Sequence, residues 1–397
     1  MNFEYPAEVE QLRERVRAFL DEHWPASHRR YAMNDTVSRD LQAPEVRLPG
    51  VDRTEIQEFC AKLGGAGLLG YGIPVEAGGQ GGGPLERYVV ESELACAGAP
   101  YPSMALGTVA PTLVWLGAVE LQRRFIPQIV SGGIEFALGY TEPNAGSDLG
   151  ALRTKAVRDG DDYVISGQKV FSSAIHYAKY YWLAARTDPR APTRSAISIF
   201  IIPADAPGLS VTGMYTMSGI RTNIVFLDDV RVPAADRVGA QNDGWRAVGY
   251  ALAHERYTAI MAGPLSMAAE ACAAHFAARL HEPRVAEALV RIETDCHAAR
   301  LVGQYVAWTA AQGRAVTVEA SAAKVMITEL RHRVSRTVLD LLGAEAVLAE
   351  GDAGAPAEGQ FERMYRHAPI TLFTAGTNAI QRDLVAEAGL GLPRYRG

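Results

Sequence analysis

A chain of 397 residues is longer than one ordinary hydrophobic core supports, so two or three domains are expected. Hydrophobic residues make up 48% and charged residues 21%, the balance of a globular chain rather than a disordered one. With 39 basic against 45 acidic residues the net charge is −6, and no local basic run offsets it, which argues against a nucleic-acid partner.

The first ten residues already carry Glu4, Glu8 and Glu10 and lead into no continuous apolar stretch, so neither a secretory signal nor a transit peptide is expected. No window approaches ~18 uninterrupted apolar residues, which predicts no membrane span. The four cysteines (Cys60, Cys96, Cys272 and Cys296) are widely scattered. That spacing suits reduced, buried thiols and a cytoplasmic location better than a disulfide framework or a zinc site.

Three zones follow along the chain: 1–133, 134–240 and 241–397. In the first, Val9, Leu12, Val16, Phe19 and Leu20 recur at helical spacing until Trp24-Pro25 ends the pattern. Further helical stretches surround Glu91 and Glu93 and run from Leu121 to Val130. In the second zone the period falls to two: Phe136, Leu138 and Tyr140 alternate, as do residues 163–166 and 196–200. Asp159-Gly160 lies between two such runs as a hairpin signal. This zone predicts a small antiparallel barrel or sandwich. In the third zone long, Ala-rich helices return at 244–280, 284–312, 317–343 and 376–388, with breaks near Pro283, Gly313 and Gly351–Gly359. Four such helices suit an antiparallel bundle. The fold class expected is therefore α+β multidomain: an N-terminal helical domain, a central β-domain and a C-terminal four-helix bundle.

Several signals carry little chemistry. The Gly-rich run at 78–83 lacks a Lys-Ser/Thr pair and a strand-to-helix context, so it predicts a turn between helices rather than a phosphate loop. There is no Gly-x-Ser-x-Gly elbow, and the nine histidines form no ligand-spaced pair, so no metal site is expected. Arg331-His332-Arg333 suits a solvated helix face. The segment at 140–148 is richer. Thr141, Asn144, Ser147 and Asp148 sit among Gly and Pro in a turn whose hydroxyls and N–H groups could bond a polar heterocycle, or could simply connect two elements.

Four separated motifs resemble the acyl-coenzyme A dehydrogenase family of flavoproteins: Thr-Glu-Pro-Asn-Ala-Gly-Ser-Asp at 141–148, Gly-Gln-Lys-Val-Phe-Ser-Ser at 167–173, Phe-Leu-Asp-Asp-Val-Arg-Val-Pro at 226–233 and Gly-Thr-Asn-Ala-Ile-Gln-Arg at 376–382. Their order and spacing agree over nearly the whole chain, as does the helix–strand–helix zoning. The resemblance implies FAD as cofactor and an acyl thioester, on CoA or on a carrier protein, as substrate. It implies that Tyr140, Thr141, Ser147, Phe171, Ser172, Ser173, Gly376, Thr377 and Asn378 hold the cofactor, with Phe171 where many members place a tryptophan. Ser147, His254 and Arg256 would touch the substrate, and an electron-transfer flavoprotein would accept the electrons.

The sequence departs from the family in two places. Many members place the glutamate that removes the α-proton immediately before the Gly-Thr pair, whereas this chain has Ala375 there. Isovaleryl- and long-chain-type members instead keep their glutamate on a bundle helix before an arginine, and His254-Glu255-Arg256 matches that arrangement. Glu255 also falls at the edge of the stripe formed by Trp245, Val248, Leu252 and Ala259, where an unpaired, unused carboxylate would be costly. Ala375 would keep one role, since its backbone N–H can still donate to the thioester oxygen. Secondly, the Arg-x-x-Phe-Gly segment with which homotetrameric members reach a neighbour's FAD is missing from 279–286, and Gly343-Ala344 replaces a Gly-Gly pair. A heterotetramer with a related subunit is therefore expected, or a homo-oligomer in which Arg279 or Arg284 compensates. The activity expected is dehydrogenation of acyl-CoA to trans-2-enoyl-CoA. A carrier-protein-linked dehydrogenase, a flavin monooxygenase or oxidase on the same fold, and a non-catalytic partner subunit are the alternatives.

Overall fold

The computed structural model describes residues 3–29, 53–255 and 259–394, without the side chains of 29, 53, 193, 253–255 and 259–261. In chain order these form helices α1 (Ala7–His23), α2 (Ala26–Arg29), α3 (Arg53–Gly65), α4 (Pro84–Cys96), α5 (Ala110–Leu116) and α6 (Val119–Val130). Strands β1 (Phe136–Gly139), β2 (Lys155–Asp159), β3 (Asp162–Lys169), β4 (Tyr180–Arg186), β5 (Ile197–Pro203), β6 (Leu209–Tyr215), β7 (Arg221–Pro233) and β8 (Arg237–Val238) follow. Helices α7 (Gly244–Glu255), α8 (Ala259–His275), α9 (Pro283–Ala311), α10 (Thr317–Leu342), α11 (Gln360–Thr371) and α12 (Asn378–Leu384) complete the chain. Two compact units result, each discontinuous in sequence: Met1–Ser38 with Gly83–Pro100 and Arg256–Gly397, and Arg39–Gly82 with Tyr101–Glu255. No described helix is long and apolar enough to cross a membrane.

In the helical unit, α1 buries Val9, Leu12, Val16 and Leu20 of the expected stripe and leaves its fifth member, Phe19, half-buried. The helix stops at Trp24, whose indole N–H donates to the Ala97 carbonyl at 3.0 Å, so the residue that ends α1 also fastens it to the end of α4. Pro84 opens α4, where it needs no N–H partner, and Glu86 reaches back to accept the Gly83 N–H at 2.9 Å. The bundle core is made by Cys272, Phe276, Val285, Ile292, Ile327, Val338 and Phe361, among others. Each large apolar side chain buried there contributes ~1.5–3 kcal/mol.

Two sequence expectations need correction in this unit. Helix α11 was not expected, although Phe361, Met364, Ala368 and Thr371 bury one face of it at helical spacing. Its short length and the internal Pro369 hide the period. Arg331 does not belong to a solvated face: it is 3% exposed, and burial pushes its guanidinium down to about 9. Only Arg333 of that triplet reaches outward, bonding Asp295 at 2.7 Å.

In the sheet unit, eight strands run in the order β6-β7-β3-β2-β4-β5-β8, with β1 beside β4. Most neighbours are antiparallel as expected, and Asp159 pairs with Asp162 across the predicted hairpin. The sheet is nevertheless mixed, because β1 runs parallel to β4 and β2 meets β4 in parallel through Lys155 and Arg186. Helix α6 covers the β1 end: Phe125 meets the rings of Phe136 and Tyr180 edge-on at 5.8 and 5.0 Å. The alternation at 196–200 does not report one wet face, since Ile197–Ile202 are all buried. Helix α7 supplies the cover. A Cβ on Gly244 would stand 2.7 Å from the Ile197 carbonyl, so the helix start lies directly on β5. Ser198, enclosed there, is satisfied by Thr187 at 2.7 Å and by the Asn242 N–H at 2.8 Å. The four cysteines are free, and burial pushes the thiols of Cys60, Cys272 and Cys296 up to about 12.

Candidate active site

The site residues expected in the sheet unit sit where β1 leaves the sheet and β3 ends. The Val170 N–H donates to the Thr141 carbonyl at 2.9 Å, so the 140–148 turn and the 169–173 segment are joined at their first residues. Tyr140 is buried and its hydroxyl accepts the Trp182 indole N–H at 2.9 Å. Behind this junction lies an ion pair that the sequence did not announce. The Lys169 ammonium, with no exposed surface, bonds Glu142 Oε1 at 2.9 Å and the Tyr140 carbonyl at 3.1 Å. Glu142 also accepts the N–H groups of Arg153 at 2.6 Å and Thr154 at 2.9 Å. Burial pushes the Glu142 carboxyl up, but the Lys169 charge and these hydrogen bonds outweigh it and hold the group below its usual range. Burial brings Lys169 down to about 8 against the opposing pull of Glu142.

Beyond Val170 the chain turns outward. Phe171 has φ +57° and is 62% exposed, a left-handed backbone for an aromatic residue that costs ~1–3 kcal/mol. Ser172 faces the other way: its hydroxyl meets Tyr181 at 2.6 Å, and its backbone exchanges bonds with Asn223 at 3.0 and 2.9 Å. Ser172 therefore offers no free hydroxyl to a ligand. Ser173 and Ser147 are exposed; the Ser173 N–H donates to the Phe171 carbonyl at 2.9 Å, and its hydroxyl reaches Thr222 at 3.4 Å. Exposed aromatic and exposed hydroxyls thus stand on a base locked by a buried charge pair.

The second group of site residues lies in the helical unit, in the turn between α11 and α12. Ala375 has φ +54° and Gly376 φ +82°, so two consecutive residues are left-handed. Among the described residues no hydrogen bond takes the N–H groups of Ala375, Gly376 or Thr377. The Thr377 hydroxyl caps α12 by accepting the Ile380 N–H at 3.2 Å. Gln381 holds the turn from below, its amide donating to the Ala375 carbonyl at 3.0 Å. A Cβ at Gly376 would lie 2.6 Å from that same amide nitrogen. Gly376→Ala is accordingly expected to cost ~1–2 kcal/mol in thermal unfolding for the backbone alone. An unchanged melting curve would contradict this turn.

The expected base lies at the end of α7. Glu255 is the last residue of that helix, while its side chain, that of His254 and all of Arg256 lie outside the described residues. On the described part of α7, Gly244, Ala247, Val248 and Ala251 are buried, and Trp245 and Leu252 are half-buried. The region that departs from the family motif is also occupied. Arg279 donates to the Leu341 carbonyl at 2.9 Å and pairs with Glu282, and Arg284 reaches the Asp340 carbonyl at 3.4 Å. Both arginines close the C-terminus of α10, where its carbonyls lack helical partners. Among the described residues no group of three or more His, Cys, Asp or Glu is placed to hold a metal.

Family models for the N-terminal, middle and C-terminal domains of acyl-CoA dehydrogenases match residues 6–133, 137–230 and 242–390. The chain is 39% identical to the acyl-CoA dehydrogenase FadE26 of Mycobacterium tuberculosis over 356 residues, 85% of this chain and 88% of that protein. Among solved structures it superposes on the Tcur3481-Tcur3483 steroid ACAD with a TM-score of 0.87 at 37% identity, covering 100% of both chains. It superposes on the ChsE4-ChsE5 complex from Mycobacterium tuberculosis with a TM-score of 0.85 at 36% identity, again over 100% of both chains. The zoning, the two motif-bearing turns and these likenesses agree: the chain belongs to the acyl-CoA dehydrogenase family of oxidoreductases.

Proposed function

We propose that this chain catalyses FAD-dependent α,β-dehydrogenation of an acyl-CoA to the trans-2-enoyl-CoA, with Glu255 on α7 as the proton acceptor. The observation that carries this reading is the turn at Ala375, where a methyl group replaces the expected carboxylate while the backbone N–H is left unengaged among the described residues. A methyl group takes no proton, so the base must come from elsewhere, and Glu255 is the carboxylate that the family's alternative arrangement supplies.

The residues fit a flavin. In the sheet unit Phe171 offers an exposed ring, and Thr141, Ser147 and Ser173 offer hydroxyls; in the helical unit, taken by itself, the 375–377 turn offers N–H donors. Tyr140, Ser172 and Asn378 would contribute through backbone and placement, because their polar side-chain atoms are engaged inside the protein. FAD, when bound, supplies the two-electron acceptor for the β-hydrogen. The protein's own part is to remove the α-proton and to hold the negative charge that results. An ordinary glutamate, with a pKa of ~4.3, is too weak a base for an α-C–H. Exclusion of water by bound substrate raises its basicity, and the Ala375 N–H donating to the thioester carbonyl oxygen stabilises the developing enolate. Ser147, His254 and Arg256 are assigned to substrate contact, and an electron-transfer flavoprotein to reoxidation. A cytoplasmic location goes with the four free thiols.

The relative named as a steroid ACAD points to a bulky, branched or steroid-derived acyl group. Anaerobic titration with short, branched, long and steroid-derived acyl-CoAs is expected to bleach the flavin, most readily with the bulky members. A flavin that stays oxidised with every thioester would end the dehydrogenase reading. The same relatives, described as two-chain assemblies, favour a heteromer with a related subunit that completes the cofactor site. Arg279 and Arg284 support this, since both are committed to the end of α10 rather than held ready to replace the missing motif. Purified alone, the chain is expected to carry well under one FAD per chain, and co-expression with such a subunit should restore it. Full occupancy and turnover by the chain alone would contradict the heteromer.

A further inference from the structure

Lys324 lies on α10 with no exposed surface, 54 residues before the side chain it serves. Its ammonium donates to Asn378 Oδ1 at 2.6 Å and to the Leu372 carbonyl at 3.3 Å. The same Leu372 carbonyl accepts the Asn378 N–H at 2.9 Å, so residues 372 and 378 form the closed neck of the loop that carries 373–377. One buried cation thus binds both ends of that neck.

The orientation of the Asn378 amide is fixed by this chemistry. A lysine ammonium only donates, so the amide oxygen must face Lys324, which leaves the amide nitrogen for Thr328 Oγ1 at 3.1 Å and Glu329 Oε1 at 3.4 Å. Thr328 has a single hydroxyl proton. Its shortest acceptor is the Lys324 carbonyl at 2.8 Å, against 3.2 Å to Asn378 Oδ1, so the hydroxyl proton goes to the helix backbone and Lys324 is the principal donor to that oxygen. Above the neck stand the two left-handed residues, Ala375 and Gly376, whose N–H groups are unengaged among the described residues. Such a backbone persists only where its surroundings over-determine it, and here those surroundings are Lys324 with Asn378 at the neck and Gln381 beneath Ala375.

We propose that Lys324 is a positioning residue for the reaction: by clamping Asn378 and the Leu372 carbonyl it fixes the loop that aims the Ala375 N–H at the thioester oxygen. The inference rests on the dehydrogenase reading above and adds to it a residue that touches neither substrate nor cofactor. A fixed donor stabilises charge in the transition state without reorganising, whereas a donor on a loose loop loses much of that advantage. Loosening the neck should therefore reduce kcat more than it raises KM.

The test compares the holoenzyme with Lys324→Met, Asn378→Ala and the double variant, by anaerobic flavin reduction with an acyl-CoA that the wild type oxidises and by amide hydrogen exchange at 375–377. Each single variant is expected to lower the reduction rate ~10–100-fold with KM within about threefold, and to speed exchange at 375–377 while the rest of α10 stays protected. The double variant should be no slower than the worse single one, because the two side chains form one clamp. A folded Lys324→Met protein with wild-type kcat and wild-type exchange would overturn the proposal, as would a loss confined to melting temperature. If Lys324→Met does not fold, Asn378→Ala decides by the same two measurements. A wild type that no thioester reduces would sink the dehydrogenase reading, while the exchange data would still decide separately whether Lys324 fixes the turn.

Discussion

Glu255→Gln is expected to slow anaerobic flavin reduction by acyl-CoA about 10²–10⁴-fold, the range that a positioned general base contributes. The substitution keeps size and polarity and removes only the proton affinity. FAD content should stay at the wild-type level, because the change keeps the size and polarity of the side chain. The expectation follows from Ala375: in this chain the residue before Gly376-Thr377 has no group that binds a proton. A Glu255→Gln enzyme that reduces its flavin at the wild-type rate would remove Glu255 from the mechanism.

Lys169→Met should be strongly destabilising to the sheet unit. It leaves the Glu142 carboxylate buried with two backbone N–H donors and no countercharge, a loss of ~3–5 kcal/mol for breaking one side of a buried pair. Acidity offers a check with a definite sign. In the wild type the Glu142 carboxyl is held below its usual range, so its contribution is present above the unfolded pKa and is lost as pH falls through the folded value. In Lys169→Met, burial is opposed only by hydrogen bonds, the folded pKa rises, and the carboxyl becomes easier to accommodate once protonated. The stability gap between the two proteins should therefore narrow as pH is lowered towards the ordinary carboxylate range. A gap that stays constant from neutral to acid would show that the loss comes from packing and not from the stranded charge. Because the pair joins Tyr140 and Glu142 to the start of the 169–173 segment, the same variant should also bind FAD more weakly.

What the sequence revealed was largely what local spacing encodes. The α1 stripe ends at Trp24 as its pattern requires, the Asp159–Asp162 hairpin stands where Asp159-Gly160 put it, and α9 and α10 fall within a residue or so of 284–312 and 317–343. Longer-range burial was hidden. Ile197–Ile202 alternate with Ser198 and look half-exposed until α7 covers them, and nothing in the Arg331 triplet signals which of its residues turns inward. The buried partners of the two lysines were hidden for the same reason. Glu142 and Lys169 stand 27 residues apart, and Lys324 and Asn378 stand 54 apart, so no periodicity links them. The motifs at 141–148 and 167–173 did contain Glu142 and Lys169. A rule that asks where each charged residue of a Gly-rich motif finds its partner would have found the first pair.

The central claim is that the proton acceptor is at 255 and not at 375, and it can be tested without any electron transfer. An acyl-CoA whose β-carbon carries no hydrogen cannot be dehydrogenated, yet its α-protons can still be removed and returned. Incubated in D₂O with the enzyme, it should exchange its α-protons for deuterium with wild-type protein, and at least about 10²-fold more slowly with Glu255→Gln. Equal exchange by the two proteins would contradict the account.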